Sequence, residues 1–133
     1  MKNKFLKIGI GVTLLIIASF TIHQSILVQE EKQLIIGTWI IDNESTNKWV
    51  FTSNNQCNWE LDGSVSSVFN YDIKNSFSDS GLEHTTLILT AVSSNVSEVG
   101  EITKYGIVGL GEEKMMLEYN TGIGISYTHF TKQ

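Results

Sequence analysis

The sequence predicts an all-β domain, an eight-stranded antiparallel up-and-down barrel, preceded by an N-terminal apolar helix. Three observations carry this. From residue 34 onward, short runs of β-branched and aromatic residues alternate with turn-forming clusters. The connections between runs are mostly short, which makes successive strands antiparallel neighbours. The body holds no amphipathic helical stretch to cover an open sheet, so an eight-strand meander loses its edges most simply by closing on itself. A two-sheet sandwich is the alternative arrangement of the same strands.

The 133-residue chain begins with the apolar segment. Lys2, Lys4 and Lys7 precede an uncharged run from Ile8 to Ile22, and Glu30 and Glu31 follow it. Positive charge before and negative charge after orient the amino end inward and the remainder outward. Residues 1–29 therefore read as a signal peptide or as a membrane anchor helix. Ala18, Ser19 and Phe20 make a poor cleavage site, whereas Ile8 to Val28 is long enough to span a bilayer. No cysteine follows the run, which excludes a lipobox lipoprotein. Residues 30–133 are expected to form one extracytoplasmic domain, too short to divide into two.

Within that domain the first run is Leu34–Ile41, followed by a loop over Asp42–Asn47 and a second run over Lys48–Ser53. Asn54 and Asn55 signal a tight turn, since asparagine tolerates positive φ. Gln56–Leu61 alternates Cys57, Trp59 and Leu61 against Gln56, Asn58 and Glu60. Asp62 and Gly63 open the next hairpin into Ser64–Ile73, and Lys74–Gly81 reads as polar loop. Leu82–Ala91 is a strand, Val92–Glu98 a loop, and Val99–Leu110 a long strand whose internal glycines suggest bends or bulges. Met115–Asn120 and Ile123–Lys132 form the last hairpin.

Composition narrows function. From Glu30 onward the acidic residues, 14 in all, face only six lysines, and the chain has no arginine and no proline. Such a domain repels phosphate backbones and anionic lipid, so nucleic acid is not an expected partner. The lone cysteine, Cys57, cannot form an internal disulfide or a Cys-rich zinc site. Catalysis finds no motif. Cys57 with His84 or His129 has no supporting spacing, Gly-x-Ser-x-Gly is absent, and the pairs Glu30–Glu31 and Glu112–Glu113 point apart in extended chain. The glycine-rich stretch from Gly106 to Gly111 does not precede a helix and so cannot cradle phosphate. No metal or cofactor is expected.

Gly37, Thr38 and Trp39 in the first strand form a Gly-x-Trp that resembles the first lipocalin motif. The chain continues in the manner of small bacterial lipocalin-like proteins: Trp49 to Thr52 as Trp-x-Phe-Thr, Tyr71 to Ile73 and Tyr105 to Ile107 as Tyr-x-Ile, Gly109 and Leu110, and a terminal Phe130-Thr131-Lys132. The resemblance covers roughly residues 34–132 and implies a calycin-type barrel. Lipocalins usually stack an arginine from the barrel's end on the motif tryptophan; here that lock is absent or carried by a lysine such as Lys132. Independently of the family, Trp39 is large enough to plug one barrel end, and Gly37 leaves room for a facing side chain.

Eight strands enclose space that side chains fill or that holds one small ligand. Strand parity nominates Trp39, Phe51, Trp59, Phe69, Tyr71, Leu89, Tyr105 and Tyr127 as the interior lining and as candidate ligand contacts. The expected function is a non-enzymatic cell-envelope domain holding a small hydrophobic molecule in the barrel. The alternative is a membrane-tethered structural or protein-interaction module, its protein partner unidentified, with those same side chains filling the core.

Overall fold

A computed structural model describes residues 22, 23, 25–77 and 83–133. The apolar segment up to residue 21 and its proposed helix lie outside the described residues. No helix among the described residues is long and apolar enough to cross a membrane.

The body is a closed barrel in which eight strands follow one another in chain order. They are β1 (Gly37–Ile41), β2 (Glu44–Phe51), β3 (Gln56–Leu61), β4 (Ser64–Phe77), β5 (Glu83–Ser94), β6 (Ile102–Leu110), β7 (Lys114–Asn120) and β8 (Ile125–Lys132). Every neighbouring pair is antiparallel, and β1 pairs with β8 through Trp39↔Lys132, Ile40↔Thr131 and Ile41↔Phe130 to complete the ring. The sandwich alternative is thereby set aside.

Several boundaries differ from the sequence reading, each for a local reason. Residues 25–34 form a helix, α1; residues 25–29 belong to the segment read as signal peptide or anchor helix, and the helix runs on to residue 34, where the first strand was expected to start. The expected loop over Asp42–Asn47 shrinks to the turn residues Asp42 and Asn43, because Asn43 takes a left-handed φ of 67° and lets β2 begin at Glu44. Asp62 and Gly63, at φ 51° and 78°, close the β3–β4 hairpin in the same way. β4 runs on to Phe77 and β5 to Ser94, while β6 starts only at Ile102 and β8 at Ile125. The β6–β7 register shifts between Ile107 and Gly109, so one of the expected bends falls beside a glycine.

α1 packs across one end of the barrel, called here the floor. The turns after β2 and β6 and the carboxyl end of β8 share that end; the turns after β1, β3 and β7 and the loop after β5 ring the opposite mouth. Ile35, just past α1, is fully buried in the core, and Val28 packs against it. The last carbonyls of a helix lack partners within it. Here Lys132 Nζ donates to Leu34 O at 2.8 Å and Trp39 Nε1 donates to Ile35 O at 2.7 Å. The same ammonium lies 5.0 Å from the centre of the Trp39 ring, a cation–π contact, and its charge favours the negative end of the helix dipole. The lysine alternative for the tryptophan lock is the one the chain uses. Gly37 makes it fit: a Cβ there would stand 2.6 Å from Lys132 Cε, and its φ of +136° is one that side-chain-bearing residues rarely adopt. Lys32 adds a 2.9 Å ion pair from α1 to Asp72 on β4, half-exposed and so worth at most about 1 kcal/mol.

Gly37→Ala is accordingly expected to destabilise the protein by roughly 1–3 kcal/mol through backbone strain and displacement of Lys132. Urea unfolding of the variant against wild type checks this, and an unchanged midpoint would contradict the role given to Gly37.

Candidate functional site

The expected lining is largely brought together. Trp39, Phe51, Phe69, Tyr71 and Leu89 are all buried in one core cluster, and Trp59 and Tyr105 are partly buried against it. Tyr127 is the exception. It is 53% exposed, because β8 turns Thr128 and Phe130 inward: Thr128 pairs with Leu117, and Phe130, fully buried, with Met115. Alternation then sends Tyr127 and His129 outward, opposite to the face assigned to Tyr127 from sequence.

Trp49, absent from that nomination, is the centre of the interior. It shares parity with Phe51 two residues on, which was the available clue. Its ring stacks on Trp59 at 4.6 Å and 20°, and meets Phe130 edge-on at 5.0 Å and Tyr105 at 5.5 Å. Trp59 continues to Phe69 at 4.5 Å, and Phe51 meets Tyr71 edge-on at 5.1 Å. These are favoured aromatic separations, so rings occupy the middle of the barrel in contact with one another.

Polar groups within the wall have specific causes. Tyr71 Oη donates to Thr52 O at 3.0 Å beside the floor, and burial raises its pKa, helped by the neighbouring Cys57. Ser67 Oγ and Ser94 Oγ share a 2.9 Å hydrogen bond near the mouth. Burial pushes Tyr105 up to about 12, with Tyr119 and Cys57 adding to it; its ring meets that of Tyr119, which is exposed at the mouth, at 5.4 Å and a 40° tilt. Burial likewise pushes the Cys57 thiol up, against a small opposing effect of the Trp59 indole. Trp59 Nε1 is itself buried without a hydrogen bond of normal geometry.

Cys57 faces inward, whereas alternation with the buried Thr85 and Phe130 turns His84 and His129 outward, away from the thiol. Among the described residues no group of three His, Cys, Asp or Glu side chains could hold a metal ion. Open hollows are present. One of about 690 Å³ sits by the β6–β7 bulge, bordered by the outward Met116 and His129 and by the core residues Met115 and Phe130; another of about 250 Å³ lies on the outer wall over Gly106 between Thr86 and Glu118.

Glu31 is the polar residue that sequence reasoning missed, since Glu30 and Glu31 were read only as the charge after the apolar run and as a pair pointing apart. It is 8% exposed beneath α1, and its Oε2 has no hydrogen-bond partner. Burial raises its pKa, and a hydrogen bond with Thr85 only partly opposes this.

Comparison with family models, with curated proteins and with solved structures gives no match. The arrangement itself defines a closed eight-stranded up-and-down barrel whose floor is sealed by a helix.

The two carboxyls that tie α1 to the barrel impose opposite pH dependences. A raised native pKa means that the stability Glu31 allows is whole below its ordinary value of 4.5 and is lost as pH rises through the native value. For Asp72, partial burial raises the pKa, but the Lys32 hydrogen bond and charge, the Ile73 N–H and Lys74 outweigh it and lower the value, so its contribution is lost as pH falls. Glu31→Gln is expected to remove the decline above pH 4.5 and leave the acid limb intact, read by thermal unfolding across pH. A variant that keeps the wild-type decline would assign it elsewhere.

Proposed function

We propose that the protein is a non-enzymatic, lipocalin-like module of the cell envelope, tethered through its N-terminal segment, that meets a protein partner with its outer surface or loops while its barrel core stays filled. The observation that carries this reading is the aromatic packing around Trp49. Trp59, Tyr105, Phe130 and Phe51 all pack about its ring, which favours side chains over a ligand in the middle of the barrel. Lipocalin kinship draws support from Gly37 and Trp39 at the start of the ring and from Lys132 over the indole, where the family's arginine would stack. Export and tethering draw on the lysines before, and the glutamates after, the apolar run from Ile8 to Ile22.

A second reading has one observation in its favour. A small apolar molecule with a hydrogen-bond acceptor would suit the mouth, where the exposed Tyr119 meets Tyr105 at a tilt and the buried Trp59 Nε1 has no hydrogen bond of normal geometry. The two readings part on a single measurement. Native mass spectrometry of the full chain taken from membranes is expected to show the protein without a retained lipid, and an apolar fluorescent probe is expected not to saturate it at one site. A one-to-one lipid adduct that Trp59→Phe weakens would displace the filled-core reading in favour of the ligand.

A further inference from the structure

The barrel's two ends differ in chemistry. The floor-side turns among the described residues are polar: Ser53, Asn54 and Asn55 after β2, and Gly111, Glu112 and Glu113 after β6. The mouth is not. Apart from Ile22 and Ile26 on α1 and Val108 on the wall, every large apolar side chain exposed among the described residues stands in or next to a mouth-end loop. Ile123 at the β7–β8 tip is 99% exposed, between two glycines, and touches none of the core it could have joined. Val99 at 76% and Ile102 at 59% project from the β5–β6 connection, with Leu61 and Val65 beside the β3–β4 turn. Hairpin tips normally carry polar residues, and a rim of apolar ones marks a surface that something covers.

Charge selects what covers it. Glu44, Asp62, Glu98 and Glu101 are exposed at this end, and Lys104 is the nearby cation. Lys32, Lys74 and Lys132 are engaged elsewhere, with Asp72 and the end of α1; Lys48 bonds to Gln133 beyond the end of β8, and Lys114, from the floor-side turn, reaches across β8 to neutralise Asp42. An anionic bilayer is repelled by such a rim, and a second copy would set acid against acid. We infer that the mouth rim docks a basic, amphipathic segment of a partner protein, its apolar face on Val99, Ile102 and Ile123 and its cations on Glu98 and Glu101. This rests on the filled-core interaction reading and names the class of partner.

The test uses the full chain in discs of uncharged lipid, with empty discs as control. The probes are photo-crosslinking helical peptides of about 18 residues, one Lys/Leu amphipathic, one Glu/Leu with the same apolar face, one Lys/Ser. Only the Lys/Leu peptide should bind above the empty-disc level and crosslink to the loop after β5 and the turn after β7, weakening as salt rises from roughly 50 to roughly 300 mM. The double variant Val99→Ser, Ile123→Ser should weaken it about tenfold, and Glu98→Gln with Glu101→Gln should remove most of the salt dependence. Those side chains stand clear of the core, so all variants should melt with wild type. Equal binding of the Glu/Leu peptide, binding indifferent to the rim variants, crosslinks confined to lipid, or self-association that Ile123→Ser abolishes would each overturn the inference. Peptides that ignore the rim while the barrel retains no lipid would remove this partner class alone; a lipid found inside would remove the parent reading whatever the peptides do.

Discussion

Lys132 joins three parts of the molecule that the backbone alone holds weakly. Its own strand pairs with β1 over only a few residues, because β1 is five residues long. Its ammonium sits on the Trp39 ring and caps the carbonyl of Leu34, so closing the ring and docking α1 become one event. Gly37 is the geometric condition, since any side chain there would occupy the lysine's path. Arginine would offer a flatter stacking surface and more donors, but a single ammonium is compact enough to reach a helix end and a ring face together.

Above that floor the interior is organised around one indole. A ring in contact with four others loses many dispersion contacts if displaced. This moves attention from the cavity, where barrels of this size often bind, to the surface and loops. The mouth differs from the floor in both apolarity and charge, and the asymmetry owes nothing to folding, because neither Ile123 nor Glu98 packs against the core.

Much of the architecture was legible in the residues. Eight runs, their order and the closure followed from alternation and turn chemistry, and the pairing of Gly37 with Trp39 pointed to the floor. Less legible were features set by partners distant in sequence. That α1 runs past residue 29 onto the barrel was hidden because Glu31, its most buried polar residue, looks solvated until Thr85 and the barrel floor are placed over it. Tyr127 was given the wrong face because parity fixes alternation along a strand but not which alternate points inward, and Phe130 settles that. Asp42 and Asn43 turn the chain in two residues where six polar ones suggested a loop. How the interior rings meet could not be read from parity either, since their separations are set only by the register.

The single sulfhydryl has a consequence of its own. Cys57 lies between Phe51 and Phe69 across the sheet, fully buried and held in its protonated form. In that state it is a poor nucleophile, closed to alkylating reagents and to thiol exchange between molecules. Reaction at this atom therefore waits on the staves parting, and the rate at which an alkylating agent consumes it becomes a clock for the opening of the ring.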